Sequence, residues 1–191
     1  MSKSHGAERQ HSSQKPKNDM VRRNISLRRV SKVVKGGKRF SFSALAVLGD
    51  AKGRVGFGMG KAKEVSAAMK KAEDAASRNM VRIPLKEGRT IHGRIESKFG
   101  ATKVVMRSGA KGQGVIAGGS MRAICEVAGI KDVAAKIIGS NNPHNVVRAA
   151  LSALTQTETP RSIAFKRGKK MSELYGGPKN QTTGDAESQN L

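Results

Sequence analysis

Gly56-Phe57-Gly58-Met59-Gly60-Lys61-Ala62 is the stretch with the strongest claim to chemistry, because glycines let backbone N–H groups approach an anion and a following Lys adds charge. A phosphate-cradling nucleotide loop also needs a Gly where Val55 stands and a Ser or Thr where Ala62 stands, so the magnesium ligand is missing. The same residues fall short of an RNA-stacking strand, since Val55 replaces its leading cation and Met59 its central Phe. Gly112-Gln113-Gly114-Val115-Ile116-Ala117 satisfies a dinucleotide fingerprint, with Asp132 downstream. Gly118 and Gly119 follow at once, however, and Val115-Ile116 reads as strand rather than as the start of a phosphate-binding helix.

The remaining reactive side chains make no set. His5, His11, His92 and His144 have no ligand spacing with one another or with Cys125, the single cysteine, so the sequence implies neither a metal site nor a disulfide framework. Glu73-Asp74 reads as a helix surface on which Asp74 can pair with Arg78 one turn on. No nucleophile, acid or base is assigned, and no cofactor or small-molecule substrate is expected.

Positive charge is the exception. Lys and Arg number 37 against 14 Asp and Glu, a formal net charge of +23, and a polyanion is the partner that makes such self-repulsion tolerable. Residues 1 to 39 hold 12 basic and 2 acidic side chains, whereas residues 40 to 160 hold 19 and 9. Arg28, Arg29, Lys32, Lys35, Lys38 and Arg39 crowd a segment whose Gly36 and Gly37 leave a turn free of bulk, a form suited to entering RNA and displacing counterions from phosphates. Aromatics make up only 3% of the chain, with Tyr175 the sole Tyr and no Trp, which argues for backbone and shape recognition over base stacking.

The elements that must carry these residues follow from periodicity. Residues 1 to 19, rich in Ser, His, Gln and Lys, read as a disordered basic arm. Residues 20 to 83 read as a first domain: a strand from Arg28 to Lys35, a Gly-Gly turn, a second strand from Phe40 to Leu48, and a third from Arg54 to about Met59. An amphipathic helix over about 63 to 79 follows, with Val65, Ala68, Met69, Ala72 and Ala76 as its apolar stripe. Three antiparallel strands and one helix would bury one sheet face and leave the other, with Gly56, Gly58 and Gly60, as bare backbone.

Residues 90 to 158 read as a second domain, an α/β layer of about four strands and two helices. Its strands fall near 90 to 97, 102 to 107, 113 to 117 and 133 to 138; Ser120 is a candidate cap for a helix ended by Gly129. Asn142-Pro143 opens a second helix with Val146, Val147, Ala150, Leu151 and Leu154 inward. Residues 159 to 191 read as a basic, then flexible, tail. The longest apolar run, Ala44 to Leu48, is far too short for a membrane span, and the first 20 residues lack a signal peptide's apolar core, so a soluble cytoplasmic protein is expected.

Lys61-Ala62-Lys63-Glu64 ahead of an Ala-rich helix looks like the end of a double-stranded-RNA-binding domain, whose final helix opens with lysines on phosphates. The blocks Arg29 to Gly37, Phe40 to Asp50, Gly53 to Gly58 and Gly60 to Ala62 stand in the order of ribosomal protein five of the bacterial small subunit. So do Val115 to Gly119, Met121 to Ala123, Glu126 to Gly129, Gly139 to Pro143 and Asn145 to Ala149. The chain therefore resembles that family over residues 28 to 151. It departs from the pattern at Arg28, Arg107, Ser108 and Gln113.

That resemblance implies a two-domain α+β structural constituent of the small ribosomal subunit, not an enzyme. It implies small-subunit rRNA as partner, contacts with ribosomal proteins four and eight, functional coupling to protein twelve, a brace between head and body, and an influence on decoding accuracy. The clustered charge and the resemblance together give as candidate RNA-binding residues Arg28, Arg29, Lys32, Lys35, Gly36, Gly37, Lys38, Arg39, Arg54, Lys61, Lys63, Arg122 and Arg148. Charge and the first domain alone also suit a free double-stranded-RNA or nucleoid-binding protein.

Overall fold

The computed structural model describes residues 20–174; the expected arm over 1 to 19 and the end of the tail lie outside the described residues. Strands β1 (Val21–Val34), β2 (Gly37–Gly49), β3 (Arg54–Ala62) and β4 (Val81–Arg82) form an antiparallel sheet in that order, with α1 (Val65–Arg78) between β3 and β4. A second, mixed sheet takes the order β5-β6-β8-β7, from β5 (Arg94–Phe99), β6 (Thr102–Ser108), β7 (Val115–Ile116) and β8 (Val133–Gly139). Helices α2 (Gly119–Ala128) and α3 (Pro143–Thr155) accompany it, and α4 (Pro160–Arg167) and α5 (Met171–Leu174) follow. The two-domain α+β class is as expected.

Several details differ. The first sheet gains β4 as an edge, and β1 begins at Val21, because its alternation is hidden by a bulge where the register shifts between Asn24 and Ser26. Residues 160 to 167, given no element from sequence, are helical, with the Thr159 side chain accepting from Ser162 N–H and Pro160 in the first turn.

The glycine face of β3 is the larger correction. Ala44, Ala46 and Leu48 pair with Gly60, Gly58 and Gly56, and it is this face, not its opposite, that α1 covers. A Cβ on Gly58 would stand 2.1 Å from the Ala72 carbonyl oxygen, and one on Gly60 2.0 Å from that of Ala68. The glycines let helix backbone lie directly on strand backbone, with Ala68, Ala72 and Ala76 as the buried stripe. The other face, carrying Leu45, Val47 and Val55, is covered as well: these residues share one buried cluster with Met106, Ile124, Val127, Val147 and Leu154 of the second domain. Both faces are occupied: a small cluster of Ala44, Ala46, Ala68 and Ala72 lies under α1, and the larger core on the other face is shared by the two domains.

The junction is made by backbone. Val127 and Ala128 carbonyls, among those a helix C-terminus leaves unpaired, accept from the N–H groups of Ala51 and Gly53 in the β2–β3 turn at 3.1 and 2.9 Å. Gly129 closes α2 in the left-handed conformation, φ 83°, as its position predicts. The start of α2 does not match expectation: Gly118 is the cap residue, with no side-chain bond, and Ser120 lies inside the helix. At α3 the Asn142 side chain does accept from His144 N–H, with Pro143 next, and all five expected residues are buried.

Cys125 lies inside this core. Burial, and then the Glu126 charge, pushes its thiol up to about 12. It is expected to resist alkylation at pH 8 in the native protein and to react once denaturant exposes it; labelling at equal rates in both states would contradict that placement.

A second lock ties loops of the second domain together. Asp132 accepts from Gly114 N–H at 2.9 Å and from the Arg89 guanidinium at 2.8 Å, while its carbonyl accepts from the Thr90 hydroxyl. The Gly114 bond, then the Arg89 bond, hold its carboxyl below the usual range against the opposing effect of burial. A depressed folded-state pKa contributes stability that is complete above the unfolded value of about 4 and is lost as pH falls through the folded one. Urea midpoints measured from neutral pH down through the carboxylate range should fall more steeply for the native chain than for Asp132→Asn, which starts lower and is flatter; parallel curves would refute the assignment.

Candidate nucleic-acid interface

β2 pairs with β3 only from Phe42 to Gly49, so the five pairs from Val30↔Ser41 to Val34↔Gly37 stand beyond the sheet as a two-stranded ribbon. At about 3.3 Å per residue it projects roughly 15 Å. Its tip is Lys35-Gly36-Gly37-Lys38, with Gly37 at φ 116°, and a Cβ on either glycine would meet nothing within 4 Å. An uncovered two-stranded hairpin is marginal in water, and Val33 and Phe40 on it are 73% and 49% exposed.

Charge makes the ribbon a poor free surface and a good anion ligand. Residues 21 to 49 contain no Asp or Glu. Lys32 and Arg39 are direct cross-strand partners, both exposed, an arrangement that costs stability until an anion lies between or over them. On the opposite face the Arg29 guanidinium lies 4.7 Å from the centre of the Phe40 ring, which holds it out from the strand.

Below the ribbon, on the Lys32–Arg39 side, Arg28, Ser43 and Lys61 form one row across β1, β2 and β3. Arg148 lies on α3 one turn beyond His144, whose pKa is held below its usual value by burial first and then by the charges of Arg28 and Arg148. Arg148 also lies 5.1 Å over Phe99. Lys63 is exposed in the short link between β3 and α1, close to Lys61 in the chain.

Two predicted residues stand apart. Arg54 opens β3, seven positions from Lys61 and so roughly 23 Å along the strand, at the junction with β4. Arg122 on α2 donates to the Val115 carbonyl at 3.1 Å and anchors β7. The expected Asp74–Arg78 pair is not formed among the described residues; on the same helix Glu73 takes Arg22 of β1 at 3.0 Å, tying helix to strand. Neither glycine motif builds a nucleotide pocket. Gly58 and Gly60 are filled by α1, and Gly114 is engaged with Asp132.

Family models for the N-terminal and C-terminal domains of ribosomal protein S5 match residues 20–84 and 97–167. The small ribosomal subunit protein uS5 of Granulibacter bethesdensis is 54% identical over 158 residues, covering 83% of each chain. This chain belongs to the ribosomal protein S5 family. Its counterparts from Gluconacetobacter diazotrophicus, 53% identical over 88% of each chain, and Nitrobacter winogradskyi, 49% identical over 96% of this chain and 94% of that one, carry the same name. These S5 relatives are named as proteins of the small ribosomal subunit.

Sequence reasoning passed over a second group of cations in this S5 chain: Arg94, Lys98, Lys103, Arg107 and Lys136. Strand alternation puts all five on one face of the second sheet. The signal was present in Lys103-x-Val105-x-Arg107, but reading a face from it requires the partners of β6, which are distant in sequence.

Proposed function

We propose that the chain is a structural constituent of the small ribosomal subunit that binds small-subunit rRNA through the ribbon and the Arg28–Lys61–Arg148 step. The observation that carries this reading is a projecting, uncovered and wholly cationic hairpin on a body belonging to the S5 family. Lys32, Lys35, Lys38 and Arg39, with backbone N–H groups at Gly36 and Gly37, take phosphates; Arg29 and Lys63 extend the contact on either side. Arg54 and Arg122 act at the edges of the same footprint.

The two domains, residues 20 to 83 and 90 to 158, form a brace. A contact made by the ribbon and a contact made by the second domain are held at a fixed separation by the shared core and by the backbone bonds from Ala51 and Gly53 to α2. Such a part lowers the free energy of one arrangement of the RNA segments it touches. In the subunit this stabilises the head relative to the body, with ribosomal proteins four and eight as neighbours and an effect on accuracy shared with protein twelve.

Sedimentation of a lysate at high salt tests the reading. The chain should travel with small subunits and crosslink through Lys35 or Lys38 to their RNA; a free or DNA-bound pool would favour the nucleoid-binding alternative.

A further inference from the structure

A cleft of about 330 Å³ opens on the second sheet, lined by Arg94, Val105, Arg107, Ile116, Ala134 and Lys136. Strand alternation fixes its side: Val104 and Met106 are fully buried in the shared core, so Val105 and Arg107 face the opposite way. Register then builds it. Arg94 of β5 is opposite Arg107 of β6, Arg107 is opposite Ala134 of β8, and β7 sets Ile116 beside Ala134. One row on, Val105 is opposite Lys136. Lys136 is therefore the diagonal neighbour of Arg107, a spacing at which two long side chains reach one small group. Val105 and Ala134, both half-buried, make an apolar floor, and Ile116 at its margin is 54% exposed.

Charge at this spot is not answered from within the chain. Glu96 lies 3.7 Å from Arg94 and 3.4 Å from Lys103, while Arg107 and Lys136 have no ion-pair partner among the described residues. Arg94 and Arg107, directly opposite on paired strands, repel each other until an anion lies between them. Arg107 is also one of the positions at which the sequence departs from its family, so the central cation of the cleft is not part of the shared pattern.

An occupant must answer several cations in one place and set an apolar surface on Val105, Ala134 and Ile116. A phosphomonoester does so: it concentrates about two charges and three acceptor oxygens on one group, which guanidinium forks match. A phosphodiester backbone spreads a single charge over each phosphate and brings no apolar body to the floor. The volume is that of the smaller ligand pockets, which begin at about 300 Å³.

We propose that this cleft binds a small free phosphomonoester with an apolar face, of the size class of a nucleoside monophosphate. The phosphate sits between Arg107 and Lys136 with Arg94 closing it on the β5 side, and the body lies on Val105, Ala134 and Ile116. The site is on the domain that does not carry the ribbon, and it does not depend on the RNA-binding reading above.

Calorimetric titration of the full chain with AMP, adenosine and inorganic phosphate at physiological salt tests it. AMP should bind at one site per chain, inorganic phosphate more weakly and in competition, and adenosine not measurably. Arg107→Gln should weaken AMP by about 10-fold or more through the lost charge-assisted bonds, and Arg107→Lys, which keeps the charge without the fork, should fall between it and the native chain. Ile116→Ser should weaken AMP but not phosphate. Lys70→Gln, a charge-matched change on the exposed surface of α1, should leave AMP binding as it was. Equal losses at Lys70→Gln and Arg107→Gln mean diffuse attraction to a cationic chain and overturn the site, as does the absence of AMP binding or equal affinity for AMP and phosphate. The titration is repeated on the complex of the chain with small-subunit rRNA. Unchanged AMP affinity there supports a separate small-molecule site, whereas displacement of AMP by the rRNA makes the cleft part of an RNA footprint and overturns the proposal.

Discussion

Gly129→Ala should cost on the order of 3 kcal/mol of folding stability, far more than the same change at Gly112, although both glycines have nearly the same positive φ, 83° and 87°. The difference lies in what surrounds them. At Gly112 a Cβ meets nothing within 4 Å, so the only cost is the left-handed backbone, about 1 kcal/mol. At Gly129 the Cβ would stand 2.0 Å from the Ala51 carbonyl oxygen, and backbone cannot rotate aside as a side chain can. The β2–β3 turn must lift away, losing the bonds from Ala51 to Val127 and from Gly53 to Ala128, each worth about 1 kcal/mol. Urea titrations of the two variants beside the native chain measure the difference directly. Equal losses at the two sites would mean that the turn is not seated on α2 and that the domains are not locked together there.

This junction is also where reading the sequence stopped short. Gly129 was legible as a helix terminator, because a helix stripe ending in Gly is a local pattern. That its missing Cβ also makes room for a turn some 80 residues earlier was not, since nothing local distinguishes the two uses. The glycines of β3 show the same limit in a sharper form. Their alternation with Val55 and Phe57 gave the strand and its two faces correctly, yet small residues on a face read as exposure when they mark the closest approach in the fold. Hydrophobic area predicts burial only when side chains do the contacting; Gly58 and Gly60 are buried by backbone against backbone. At the interface the ribbon was legible because its cations, glycines and turn are contiguous. The face shared by Arg94, Lys103 and Lys136 depends on pairing between β5, β6 and β8, a long-range property.

Lys35→Ala/Lys38→Ala/Arg39→Ala should lower affinity for small-subunit rRNA by roughly 10²- to 10³-fold at 0.1 M salt and reduce the salt slope by about 2.7, the sum for three lost phosphate contacts at ~0.9 each. Stability should hardly change, because all three side chains are exposed, the tip glycines have open space around them, and Arg39 loses a like-charged neighbour in Lys32. That combination is the discriminating one. A variant that bound less because it was misfolded would lose its urea midpoint along with its affinity, whereas loss of direct contacts leaves the midpoint in place. The glycines offer a converse test. Gly37→Val imposes a side chain on φ 116° while leaving every charge intact, so it alters the shape of the tip alone. Were affinity to follow only charge, this variant would bind as the native chain does. Recognition through a projecting hairpin that enters RNA requires it to bind more weakly with an undiminished salt slope, since the same phosphates are met by a tip that no longer fits between them.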